Sequence, residues 1–192
     1  MNKIILFDFF GVISTEIAPF WLEKFFNQEQ SQLIKEAVVG PGDLGINDEA
    51  KIYNELSRLT GVKPNQIAIE WMELVKIDTK LVELIRMYRK HHKVYLLSNA
   101  VSTFLNNILN KYQLKDLFND IFISSEMGLA KPDKKFFEYV LNKIQADKSQ
   151  MIFIDDNIRN VNSAKDLGIT SILFENTNDI RDKINSFIAS SK

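Results

Sequence analysis

Short, uninterrupted apolar runs recur along this chain, and amphipathic stretches lie between them. The runs are Ile4–Phe7, Val94–Leu97, Ile121–Ile123, Met151–Ile154 and Ser171–Phe174. None alternates apolar with polar, the pattern expected of strands covered on both faces of a parallel sheet. Between them apolar residues return at helical spacing. Leu81, Leu84, Ile85 and Tyr88 precede the Val94 run, and Phe104, Leu105, Ile108, Leu109 and Tyr112 follow it. Phe136, Phe137, Val140, Leu141 and Ile144 precede the Met151 run; Ile158, Val161, Ala164 and Leu167 follow it, with Gly168 placed to end that helix. Strands alternating with helices predict an α/β domain built on a doubly wound parallel sheet.

Between Gly11 and Lys80 the strand pattern stops. Phe20, Trp21, Phe25 and Phe26, then Ile52, Tyr53, Leu56 and Leu59, mark helices, punctuated by Gly40-Pro41-Gly42 and by Gly61 through Pro64. Asn47 is the expected N-cap of the second group, with Asp48 and Glu49 in its first turn. The chain therefore divides into an α/β core, 1–14 and 81–192, and a helical insert, 15–80, of roughly 65 residues placed after the first strand. Trp21 and Trp71 read as core of that insert. His91 and His92 read as surface residues at a helix end, because adjacent residues do not share a helix face.

Composition narrows the function. The net charge is −1 and the pI about 6.2, with lysines and glutamates interspersed, so no basic footprint for nucleic acid or anionic lipid is expected. There is no cysteine, which removes disulfides, thiolate catalysis and cysteine zinc sites. No apolar stretch approaches the length of a membrane span, and the N-terminal run is too short for a signal sequence. The expectation is a cytoplasmic protein, a monomer or small homo-oligomer, with no membrane partner.

Polar residues cluster where the predicted strands end: Asp8, Ser98-Asn99, Lys131-Pro132 and Asp155-Asp156-Asn157. Open α/β sheets bind ligands at those ends. A carboxylate such as Asp8 can attack phosphorus or carbon. With Asp155 and Asp156 beside it, an oxygen-rich site for Mg2+ results. Ser98 can donate to a phosphate oxygen, and Lys131 supplies a point charge for the same oxygens. Helices beginning after Asn99 and Asn157 would turn their N-termini to the anion.

In this order and strand context the chain resembles the haloacid dehalogenase-like superfamily of hydrolases. The resemblance rests on Leu6-Phe7-Asp8, Leu97-Ser98-Asn99, Lys131-Pro132-Asp133 and Phe153 through Asn157. The region from Phe153 to Leu173 is most similar to bacterial glucose-1-phosphate phosphatases and to the N-terminal phosphatase domain of soluble epoxide hydrolases. The resemblance implies a Rossmann-like core, with the insert as a small helical cap. It implies Asp8 as nucleophile and metal ligand, the carbonyl of Phe10 as a second ligand, and Asp156 and Asp155 completing a Mg2+ site. Ser98, Lys131, Asn99 and backbone groups of Phe9 and Phe10 would bind the phosphoryl group. The expected activity is hydrolysis of a small phosphomonoester, with a sugar phosphate as a leading candidate, through an aspartyl-phosphate.

Position 10 departs from the usual pattern, in which the residue two after the nucleophile is a second Asp that protonates the leaving alcohol and activates water. Phe10 can do neither, and such help is typically worth about 10²–10⁴-fold. Three readings follow. The substrate needs little acid help, as a sugar 1-phosphate would; the protein binds a phosphorylated ligand or partner without turnover; or the chemistry is dehalogenation, which carries an aromatic residue here but lacks the paired aspartates. Asp43, Asp48 and Glu49 of the insert are alternative proton donors, read here as solvated surface.

Overall fold

In the computed structural model, which describes residues 3–190, five strands form one parallel sheet in the order β3-β2-β1-β4-β5. They are β1 (Ile4–Phe7), β2 (Lys93–Ser98), β3 (Asp120–Ile123), β4 (Met151–Asp155) and β5 (Thr170–Leu173). Each matches an expected run to within one or two residues at its ends. Placing β1 in the centre puts its apolar side chains under both layers. Ile5 and Phe7 join the larger core cluster, while Leu6 joins the second with Phe136, Phe137 and Phe153, as the two-residue period of a strand requires.

The helices of the α/β layers are α6 (Thr79–Arg89), α7 (Ser102–Lys111), α8 (Ser124–Met127), α9 (Lys134–Ile144), α10 (Ile158–Asp166) and α11 (Thr177–Ala189). Gly168 lies two residues after α10 with φ +82°. Between β1 and α6 run only helical elements: α1 (Ala18–Leu22), α2 (Gln28–Ile34), a π-helical segment (Lys35–Val39), α3 (Gly40–Asp43), α4 (Glu49–Thr60) and α5 (Pro64–Leu74). Trp21 is fully buried and donates through Nε1 to Glu70 Oε2 at 2.7 Å; Trp71 is 5% exposed and packs edge-on against Tyr53. Trp21 is core, as expected; Trp71 is buried but also lines the cavity described below.

Two local expectations are corrected. The N-cap of α4 is Asp48, not Asn47: Asp48 has extended backbone, and its carboxylate accepts from Lys51 N at 2.8 Å. Asn47 is instead buried in the loop before it. The helix after Asn99 starts three residues on, at Ser102; in the connection Ala100 N and Ser102 N donate to Ser124 Oγ and Ser125 Oγ, at 3.0 and 2.9 Å. His91 is exposed, and His92 accepts at Nδ1 from Lys3 N. Among the described residues no helix is long and apolar enough to cross a membrane.

Phe153 is fully buried in β4 and meets Phe137 of α9 edge-on at 5.2 Å. Phe153→Ala should cost about 3–5 kcal/mol of folding free energy, measured by urea unfolding; a loss under about 1 kcal/mol would contradict this placement of the second core.

Candidate active site

The central strand delivers Asp8 to the carboxyl edge of the sheet. Phe7 pairs with Ile154 in the β1–β4 register, so the next residues, Asp8 and Asp155, stand side by side. Asp8 N donates to Ile154 O at 2.9 Å, which carries the ladder one step beyond the strand. Lys131 arrives from the loop after α8, locked by a reciprocal pair of bonds. Its backbone N donates to Asn99 Oδ1 at 2.9 Å, and Asn99 Nδ2 donates to its carbonyl at 2.8 Å.

The Lys131 ammonium is buried, and its three protons have three acceptors. They are Leu97 O at 2.8 Å, Asp155 Oδ2 at 2.7 Å and Asp8 Oδ1 at 2.9 Å. Asp155 is fully buried. Besides Lys131 it accepts from Asn157 N at 2.8 Å and from Asn160 Nδ2 at 3.0 Å to each oxygen. Its lone pairs are thus largely committed to protein donors, and it anchors the lysine. Asn160 was not among the sequence candidates. Its signal was a polar residue inside the first turn of an otherwise apolar helix face, between Ile158 and Val161.

Asp156 is half-buried and faces the cavity above the sheet edge. It rests against the backbone of Gly11, where φ is +80° and a Cβ would lie 1.9 Å from Asp156 Oδ2, so only glycine fits. Oxygens of Asp8, Asp155 and Asp156 lie within 4.8 Å of one another. One ammonium cannot neutralise three carboxylates. Burial, ahead of the repulsion from Asp155 and Asp156, holds the Asp8 carboxyl well above the usual range despite Lys131. Asp156 is pushed up to about 6 by burial, with Glu16 and Asp155 adding to it. Burial would lower the Lys131 ammonium, but Asp155 and Asp8 outweigh it and raise it. Crowded hard-oxygen donors with excess negative charge are the donor set that Mg2+ takes, so these residues fit that ion.

Ser98 ends β2, fully buried, and its Oγ has no hydrogen-bond partner among the described residues. The side chain of Phe9 is core; its N–H donates to Asp8 Oδ1 at 2.7 Å. The half-buried Phe10 ring lies edge-on to Phe9 at 5.0 Å and stacks on Phe104 at 6.2 Å, forming cavity wall beside Asp8. The cavity, of about 220 Å³, lies between the sheet edge and the insert. Asp8, Asn99, Lys131 and Asp156 meet it from the core, and Glu16, Lys35, Asp43, Tyr53 and Trp71 from the insert.

The surface reading of the insert carboxylates holds only for Asp48, which caps α4 in solvent. Glu49 is half-buried and held by Tyr53 Oη, at 3.0 Å, and by Thr103 Oγ1. Asp43 is half-buried on the cavity wall. Glu16 and Lys35, which pair at 3.4 Å, carried no signal in the sequence.

A family profile described as haloacid dehalogenase-like hydrolase matches residues 2–168. Drimenol cyclase drtB of Aspergillus calidoustus is 28% identical over 166 residues, 83% of this chain but only 31% of the cyclase, so the chain spans under a third of that relative. Sesquiterpene phosphatase astK of Aspergillus oryzae is 24% identical over 88% of this chain and 84% of its own length. The crystal structure of the HAD family enzyme bt-2542 from Bacteroides thetaiotaomicron superposes with a TM-score of 0.76 at 25% identity, covering 91% of this chain and 94% of that one. The same enzyme has been solved with magnesium and inorganic phosphate.

Lys131→Met leaves Asp155 buried without its cation. The expected loss is about 3–5 kcal/mol of stability, read as a lower urea midpoint; an unchanged midpoint would show that Lys131 does not neutralise the buried carboxylates.

Proposed function

We propose that this chain, which belongs to the haloacid dehalogenase-like hydrolase family, is a Mg2+-dependent phosphatase that hydrolyses a small phosphomonoester through an aspartyl-phosphate on Asp8. The observation that carries the reading is the carboxylate trio of Asp8, Asp155 and Asp156 around the buried Lys131, with Asp8 and Asp156 open to a cavity at the sheet edge.

Asp8 lies at the cavity with its Oδ1 held by Lys131 and by the N–H of Phe9. One oxygen is thereby oriented and the other left to attack phosphorus in line with the leaving oxygen. Asp8, Asp156 and the carbonyl of Phe10 would hold Mg2+, with Asp155 completing the acid cluster and fixing Lys131. When bound, the ion offsets the repulsion between these carboxylates and the phosphate dianion. Lys131, Asn99, the orphaned Ser98 Oγ and the backbone at Phe9 and Phe10 would bind the phosphoryl oxygens. Residues 15–80 act as the cap that closes the cavity, so their side chains select the leaving group.

The trio supports phosphoryl transfer over dehalogenation, which has no use for a cation site. The cavity volume supports a compact substrate, a sugar phosphate among them. A second reading, that the leaving group presents an apolar face, is favoured by the ring wall of Phe10, Phe104, Trp71 and Tyr53.

Phosphate release should be measured on hexose 1-phosphates, pentitol phosphates and short prenyl monophosphates. EDTA should abolish it and Mg2+ restore it. Asp8→Asn should lower kcat by on the order of 10³-fold or more. Activity that survives both EDTA and Asp8→Asn would eliminate this mechanism.

A further inference from the structure

Phe10 leaves a mechanistic vacancy: the alcohol must leave with a proton, and no acid stands two residues after Asp8. Four insert carboxylates line the cavity, namely Glu16, Glu36, Asp43 and Glu49. Three are already engaged. Glu16 pairs with Lys35, Glu49 accepts from Tyr53 and Thr103, and the exposed Glu36 accepts from Gln32 Nε2 at 2.8 Å. Asp43 alone of the four has no hydrogen bond or ion pair among the described residues.

The backbone around Asp43 is built to hold it there. It ends α3, which continues the π-helical segment Lys35–Val39; such segments widen a helix and are frequent at functional sites. The glycines on either side seat this stretch on the rest of the molecule. A Cβ at Gly42 would lie 2.6 Å from Ile52 Cδ1 and 2.8 Å from Val101 Cγ2. At Gly45, φ +73°, it would lie 2.5 Å from the carbonyl of Ser125. Gly45 N and Ile46 N donate back to Gly42 O and Pro41 O, both at 2.9 Å, closing the turn. Val101 lines the cavity, and Ser125 Oγ accepts from Ser102 N at 2.9 Å just after it, so both contacts tie the Asp43 turn to the segment that follows β2.

We infer that Asp43 is the general acid and base of this enzyme, carried on the insert in place of the absent carboxylate at position 10. The assignment rests on the phosphatase reading above. As an Asp8 oxygen bonds to phosphorus and the P–O bond to the alcohol breaks, the Asp43 carboxyl proton passes to the departing oxygen. The Asp43 carboxylate then takes a proton from the water that attacks the aspartyl-phosphate, which releases inorganic phosphate, frees Asp8 and restores Asp43 to its acid form.

The protonation state suits the role. Burial pushes Asp43 up to about 7, with Glu16 adding to it and Lys35 and Lys131 opposing. The remaining charged groups around the cavity are Asp8, Asp156, Glu36, Glu49 and Arg159; Asp48 and Glu126, on the neighbouring α4 cap and α8, are exposed. A carboxyl near 7 is partly protonated at neutral pH and exchanges its proton in both directions.

The test compares kcat/KM, which covers the first irreversible step, for an alkyl phosphate and for p-nitrophenyl phosphate, whose leaving group departs without a proton. In Mg2+-loaded Asp43→Asn, kcat/KM for the alkyl ester should fall by about 10²-fold, while the aryl ester stays within about threefold. Retained aryl hydrolysis also reports an intact fold. The wild-type alkyl profile should fall as pH rises above about 7, and that limb should vanish in the variant. Equal loss on both esters, or loss on neither, would overturn the assignment. Absence of hydrolysis of either ester by the wild-type protein would instead overturn the phosphatase reading.

Discussion

The buried Lys131 ammonium is the constraint around which this site is organised. A cation taken out of water is costly unless its protons are met and its charge is paired. Here Leu97 O, Asp8 and Asp155 meet all three protons. That requirement ties together β2, the end of β1, β4 and the loop after α8, four segments distant in sequence. It also explains why Asp155 is so heavily bonded by Asn157 and Asn160: a carboxylate with no freedom of its own is the best anchor for a lysine that must not move. The remaining negative charge falls on Asp8 and Asp156, the two carboxylates of the trio that meet the cavity, and this imbalance suits the site to a divalent cation.

Parallel strand pairing does the rest of the positioning. Because Phe7 stands opposite Ile154, adjacent strands place Asp8 and Asp155 at one level without any loop being asked to do it. The insert contributes a wall. Its ring cluster of Tyr53 and Trp71 meets Phe104 of the core, and Phe104 stacks on Phe10. Phe10 thus belongs to a continuous aromatic surface that makes one side of the cavity apolar.

The sheet was readable in the sequence because each strand is an unbroken apolar run, and a run ending in a polar residue marks the edge where ligands bind. Asp8 and Asp156 were readable for the same reason; Lys131 was not, because α8 (Ser124–Met127) separates it from the end of β3. Three things were not readable. Strand patterns do not report the hydrogen-bond partners of a loop, so the bonds from Ala100 N and Ser102 N to Ser124 and Ser125 left no trace. The commitment of Asp155 to Asn160 depends on a helix face that periodicity resolves only as apolar or polar. The contrast between Asp43, Asp48 and Glu49 was invisible because all three are acids in one short polar stretch of the insert. Burial and partners separate them, and both are tertiary properties.

Moving an acid from the position beside the nucleophile to the insert changes what the insert is for. A carboxylate at position 10 would be fixed by the same strand as Asp8 and present whatever the rest of the chain did. Asp43 is present only while Gly42 and Gly45 keep their close contacts with Val101 and Ser125. Proton transfer then depends on the insert being seated over the core, and so does the apolar side of the cavity that the aromatic wall makes. On this assignment Asp43 and the insert half of the ring wall, Tyr53 and Trp71, lie on one structural unit, so selection of the leaving group and its protonation are coupled.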